Sequence, residues 1–170
     1  MCAAFVSEVW VYVFEIGDKI VHPMHGAGVI ENIVTQKIEG TSREYYVVKM
    51  PLGGMMVMIP ISNSDEIGVR AIIDSTRAGE IIDSLPGIEI DHNQNWNRRY
   101  RENMLRIRSG DLTEVCKVVK SLMIRERQRG LSTGERRMLH SAKQILISEI
   151  TLARSATYED IEAQIDAQLA

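Results

Sequence analysis

Around Pro60 the hydrophobic pattern changes its period, and a chain that does this cannot be built from one kind of secondary structure. Before Pro60 the sequence breaks into short β-branched runs divided by turn residues. "DKIVHP" stops at Pro23, "GAGVIENIVTQKI" reaches Glu39-Gly40, "REYYVVKM" follows, and Gly53-Gly54 precede "MMVMIP". No helix-length periodic segment interrupts them, so they predict a small, strongly bent antiparallel sheet or barrel of the SH3 or Tudor type. After Pro60 apolar residues recur at helical spacing. The fold class expected is therefore α+β, with a β-module over residues 14–66 and an all-helical domain of about four to five helices over residues 67–170. Residues 1–13 stand outside both as an N-terminal extension.

The helical part carries its own punctuation. "GVRAIIDSTRAGEIIDSL" places Ile72, Ile73, Ile81 and Ile82 at roughly helical spacing before Pro86-Gly87 breaks the chain. A second helix is expected from near Gln94 to Gly110, which is placed as a C-cap. Asp111 with Glu114 resembles a capping box for a third. There Leu112, Val115, Cys116, Val119, Leu122 and Met123 make a buried stripe that ends at Gly130. "STGE", Ser132 to Glu135, is a capping box for a fourth helix with Met138, Ala142, Ile145 and Leu146 inward, and Thr157 with Asp160 opens a short fifth.

Several function classes drop out. At 170 residues and 45% apolar content the chain can bury a core. Its longest apolar runs, such as the "VWVYVF" that ends at Phe14, are too short to cross a bilayer. "MCAAFVSEVWVYV" has no basic head and contains Glu8, unlike a secretory signal; it reads as a non-domain extension or the product of an upstream start. Cys2 and Cys116 lie far apart and outside any CxxC or CxxH spacing, which implies neither a disulfide framework nor a zinc site and fits a reducing cytoplasm. Cys116, on the apolar stripe, reads as core. His22 and His25 in "HPMHG" have no acidic or sulfur ligand near them and are assigned to a strand turn, so no metal is expected. With no GxSxG, P-loop, GxGxxG or HExxH there is no catalytic residue to nominate and no cofactor to expect.

The net charge of −3 conceals a segregation. Residues 1–95 carry 6 Lys+Arg against 13 Asp+Glu, residues 96–140 carry 12 against 5, and residues 141–170 carry 2 against 5. Ten of the twelve central cations are arginines, whose planar fork suits phosphate. A solvated helix face with ordinary i,i+4 pairs would show the same block. Within it, "NQNWNRRYREN" (residues 93–103) sets Trp96 among amides and guanidiniums. Spacing alone leaves two uses for that ring. It could cap the inward face of Tyr100, Met104 and Ile107, or stay exposed and wedge against bases while Arg98, Arg99 and Arg101 hold phosphates. Met55, Met56 and Met58 in "GGMMVMIP" likewise allow two readings: a strand packed on both faces, or an apolar edge suited to strand addition.

Three stretches carry a resemblance that covers nearly all of residues 14–155. "FEIGDKIVHPMHGAGVIENI" resembles the opening of the CarD/CdnL family of bacterial transcription regulators, "NWNRRYREN" its Trp-containing basic segment, and "RERQRGLSTGERRMLHSAKQIL" its most distinctive helical motif. The resemblance implies that a Tudor-like N-terminal module, similar to the polymerase-interacting domain of the transcription-repair coupling factor, docks on the RNA polymerase β subunit. It implies that the helical domain contacts promoter DNA upstream of the −10 element, where a tryptophan enters the minor groove and stabilises the open complex. Trp96 matches that tryptophan, Arg98, Arg99 and Arg101 its basic neighbours, and Arg136 a further DNA-facing position. Where some members carry arginines on the polymerase-facing strands, this chain has Gln36 and Met58; docking through Gln36, Met56 and Met58 is then expected to lean on strand pairing and apolar contact. A cytoplasmic monomer with weak, largely sequence-independent DNA contact follows from the resemblance. The rival classes are a protein-interaction adaptor with a structural Trp96 and a sequence-specific helix-turn-helix repressor.

Overall fold

The computed structural model describes residues 2–6, 9–92 and 95–170, with the backbone alone up to residue 12. Cys2–Val6 (β1) and Val9–Val13 (β2) pair as an antiparallel hairpin in a two-stranded sheet of their own. The main sheet is five-stranded and antiparallel. Lys19–His22 (β3), Gly26–Ile38 (β4), Thr41–Lys49 (β5), Met56–Pro60 (β6) and Arg70–Ala71 (β7) lie in the order β6-β5-β4-β3-β7. The expected strands between Asp18 and Pro60 are all present. β4 and β5 turn at Glu39-Gly40, both with positive φ, the two-residue geometry whose twist matches the flanking strands. A register shift between Ile30 and Asn32 interrupts the β4–β5 ladder. Phe14, Ile20, Ile30, Tyr46, Val48 and Ile59 form the core on one face of this sheet, and the Tyr46 hydroxyl accepts a hydrogen bond from Phe14 N (3.1 Å).

A 3-10 turn at Ile61–Asn63 and a one-turn helix, Ser64–Ile67 (α1), close the module. Five helices then build the second part: Ser75–Ser84 (α2), Trp96–Arg108 (α3), Leu112–Arg129 (α4), Thr133–Arg154 (α5) and Tyr158–Gln168 (α6). Their core is continuous from Ile81 and Leu85 through Val115, Cys116 and Val119 to Leu146, Ile150, Ile161 and Ile165.

Three expectations shift on inspection. The first helix does not include Ile72 and Ile73, because the segment before it adds β7 to the sheet; the helix begins only after Asp74, whose carboxylate caps Arg77 N (2.7 Å). The next helix starts at Trp96 with Asn95 as N-cap, while Gln94 lies outside the described residues. Its C-cap is Ser109, with Gly110 following at φ +73°. Asp111 caps Thr113 N directly, and Glu114 turns instead to Arg106 and Lys117, so no capping box forms there. The "STGE" box forms with both reciprocal bonds.

The two halves meet along α5. β4 runs so close to this helix that a Cβ on Gly26, already at φ +91°, would lie 2.4 Å from Ser148 Oγ. That hydroxyl accepts from Ala27 N (2.9 Å) and donates to Ile145 O (3.1 Å). At the next residue, the fully buried Glu149 receives both Arg70 nitrogens (2.6 and 3.0 Å) and Ile73 N (3.0 Å). Arg70 also donates to Gly110 O (3.2 Å), tying β7 to the end of α3.

Candidate functional site

The basic block spans α3, α4 and the start of α5, and the arginines nominated for DNA lie in the early turns of α3 and α5. The Asn95 side chain accepts from Arg98 N (3.0 Å) and so begins α3 at Trp96. At that position the indole remains 44% exposed. It is nevertheless held: it stacks on Tyr100 with centroids 5.1 Å apart and planes at 22°, and its Nε1 donates to Ser132 Oγ (3.4 Å) at the start of α5. The ring thus rests one face on Tyr100 and leaves much of the rest open to solvent. Such a pre-ordered aromatic has little side-chain entropy left to lose on binding.

Below the ring lies a buried ionic knot. Glu135, 3% exposed, accepts from Arg99 Nη2 (2.8 Å) and Nε (3.3 Å), from Ser132 N and Oγ (3.1 Å each), and stands 3.4 Å from Arg125 Nε. Burial pushes its carboxyl pKa up, but the Arg99 guanidinium and the Ser132 bonds outweigh this and hold it below its ordinary value. Arg99 therefore does not face DNA as expected. Its place in the α3 periodicity turns it inward, 9% exposed, where a buried carboxylate requires a cation.

The other nominated arginines are outside. Arg98 is exposed and paired along the helix with Glu102 (2.8 Å), which raises its pKa. Arg101 on α3 and Arg136 on α5 are exposed and make no ion pair among the described residues. Arg98 and Arg101 are thus exposed on α3, where they share a surface with Glu102 and Leu105, and Arg136 and Arg137 are exposed on the first turns of α5, just after the Ser132 that Trp96 reaches.

The polymerase-facing nominees also come together. β6 is the edge of the sheet, and its alternation buries Ile59 while leaving Met56 (46%) and Met58 (42%) exposed. Met58 lies opposite Val47 on β5, and Gln36 Nε2 of β4 reaches its sulfur at 3.9 Å. Exposed Met55 extends the patch. β6 is therefore not packed on both faces: its outer methionines lie open at the sheet edge. His22 and His25 lie in ring contact at 4.4 Å, and His22 Nδ1 accepts from Met24 N (3.0 Å), a turn bond; burial, then His25, lowers the pKa of His22.

Comparison with known proteins decides what such a molecule is. The CarD C-terminal domain model matches residues 80–166, and the CarD-like/TRCF RID domain model matches residues 14–73. The chain belongs to the CarD family. A relative in Bacillus subtilis (strain 168), "Putative transcription factor YdeB", is 35% identical over 150 residues, covering 88% of this chain and 98% of that protein. CarD family membership puts the chain in transcription regulation through interaction with RNA polymerase, a transcription-factor type and not an enzyme class. The described residues contain no helix long and apolar enough to cross a membrane.

Within the CarD frame, sequence reasoning missed Ser132, Arg125 and Glu149 as supports of the site. "STGE" marks Ser132 and Glu135 as a helix start, yet nothing local says that Trp96, thirty-six residues earlier, would donate to that serine. Glu149 sits on the inward face of α5 with no distinguishing signal except a carboxylate among isoleucines.

Proposed function

We propose that this protein docks on the β subunit of RNA polymerase through the β6 edge, with Gln36, Met56 and Met58 at the contact, and stabilises the promoter open complex through Trp96. The exposed ring enters the minor groove just upstream of the −10 element while Arg98, Arg101 and Arg136 hold the flanking phosphates. The observation that carries this reading is the half-exposed Trp96, stacked on Tyr100 and tethered to Ser132 at the start of α5. A ring held in this way occupies an opened base step and slows its reclosure. Docking raises the local concentration of the wedge, so weak, sequence-independent DNA contact becomes effective at promoters alone. The protein acts as a monomer, since each half engages a different partner.

The test is open-complex lifetime with cognate polymerase holoenzyme. Trp96→Ala should remain folded and polymerase-bound but shorten the lifetime; Met58→Glu should lose polymerase binding while keeping its weak DNA affinity. Unfolding of the helical domain by Trp96→Ala, or a nanomolar sequence-selective complex with free duplex at physiological salt, overturns the reading.

A further inference from the structure

Beside the Trp96–Tyr100 stack lies a cleft of about 270 Å³ between the "HPMHG" turn of the β-module, α3 and α5. Its walls are Met24, Tyr100, Met104 and Met138; Gly134 forms part of its floor, and Arg137 and Ser141 stand at its rim. We propose that this cleft receives one unpaired nucleobase displaced by the wedge, an inference that rests on the reading of Trp96 as a DNA-contacting ring.

The cleft and the wedge share two residues. Tyr100 supports Trp96 and also lines the cleft. A Cβ on Gly134 would touch Tyr100 Cε2 at 3.7 Å and Trp96 Cζ2 at 3.8 Å, so the cleft begins where the stacked rings end. A base leaving the step that Trp96 enters therefore meets this opening first. The volume falls just below the roughly 300–1,000 Å³ typical of drug-sized ligands, which suits one planar ring system. Thioether and phenol walls pack against any base face, because sulfur is polarisable and every base offers a π-face for stacking. Charge selects the ligand class: among the described residues Arg137 is the only ionisable side chain besides the Tyr100 phenol on the lining, and none of them there is a carboxylate. Arg136, next to Arg137 in the chain and exposed on α5, is available for an adjoining phosphate. The neighbouring cleft by Arg99, Arg125 and Arg129 includes Asp91, a poorer match for a nucleic acid.

The arrangement explains how a wedge can lengthen the life of an opened step. The ring blocks restacking, and the cleft gives the displaced base a stacking partner in place of the one it lost. With few polar groups to read a base edge, it discriminates weakly among the four bases, in keeping with sequence-independent contact.

The experiment compares two labelled DNA forks that differ only at the unpaired nucleotide next to the duplex, one carrying a base and one abasic, titrated with the full chain at fixed salt. The base-bearing fork should bind roughly tenfold more tightly, the scale of one stacked base. Ser141→Phe fills the cleft from the exposed face of α5; it should abolish that ratio while binding to the abasic fork stays unchanged. Trp96→Ala should weaken both forks and leave a ratio between them. Equal binding of the two forks by the unmodified chain overturns the cleft without any variant, as does a ratio that persists in a folded Ser141→Phe. If Trp96→Ala binds both forks as the unmodified chain does, the wedge reading fails, and the Ser141→Phe ratio still decides the cleft.

Discussion

Replacing Glu149 by alanine should separate the two halves energetically while leaving each intact. The carboxylate is fully buried and takes a bidentate pair from Arg70 and a third bond from Ile73 N. Removing one partner of a buried ion pair costs about 3–5 kcal/mol, because the other charge loses its compensation. Here the Arg70 side chain is 35% exposed and keeps carbonyl partners in Ala71 and Gly110, so it turns to water and the lower end applies. The orphaned Ile73 N–H adds roughly 1 kcal/mol. The total, roughly 3–4 kcal/mol, corresponds to a fall in Tm on the order of 10 °C for a chain of this size. Glu149→Gln retains an acceptor for Ile73 N and should lose less. Urea denaturation gives the free energies, and open-complex lifetime gives the consequence. Under the proposed function polymerase binding should persist in Glu149→Ala, while the lifetime shortens because the Trp96 ring is no longer held at a fixed position relative to the β6 edge. A Glu149→Ala protein that loses less than about 1 kcal/mol, or that loses stability without any change in lifetime, refutes the idea that this contact couples the halves.

Three further outcomes follow from the geometry. Glu135 has a depressed folded pKa, so its contribution is complete above the unfolded carboxylate value and disappears as pH falls through the folded one; the melting gap between the unmodified protein and Glu135→Gln should be full at neutral pH and close on acidification, and a pH-independent gap would contradict the assignment. Gly26→Ala meets Ser148 Oγ at 2.4 Å from a left-handed backbone and should cost about 2–4 kcal/mol in chemical denaturation, with partial recovery in the Gly26→Ala/Ser148→Ala double variant. Arg136→Ala should leave melting unchanged and lower the salt slope of DNA binding by about one, whereas Arg99→Ala should lower stability by about 3 kcal/mol; the reverse pattern would place Arg99 at the DNA.

Local signals were legible in the sequence where they are self-contained. Turn dipeptides placed the β4–β5 hairpin, and Ser132 with Glu135 announced α5, because a capping box is closed by residues three apart. The start of α2 was misplaced for a tertiary reason: Ile72 and Ile73 have helical spacing, but the preceding Arg70 and Ala71 find an open edge at β3, and ladder pairing wins over propensity. Asp111 with Glu114 shows the converse, since the same spacing makes no box when Arg106 and Lys117 compete for the glutamate. At the site, helical periodicity could place Trp96 and Tyr100 on one face yet could not tell an exposed ring from a buried one. That was decided by Ser132, brought from a distant helix, and by Arg99, which a composition count assigns to a basic surface and a buried glutamate claims for the interior.

Under the proposed function, the contacts missed by sequence are those that would join two weak binding surfaces into one device. A methionine edge and a ringed tryptophan could act together on a flexible tether, but effective concentration is highest when the spacing between them is fixed at the span required. The fold supplies that spacing through short-range contacts: Gly26 lets β4 lie against α5, Ser148 anchors Ala27, and the adjacent Glu149 holds Arg70. The first turn of α5 carries Ser132 and Glu135 beneath Trp96. One continuous helix of 22 residues thus touches the sheet near one end and the aromatic ring at the other. At about 1.5 Å per residue it spans roughly 30 Å as a rigid rod. Under the proposed function this rod makes the distance from polymerase to DNA a property of the fold, which is why substitutions at buried Glu149 should act on the open complex without touching either partner.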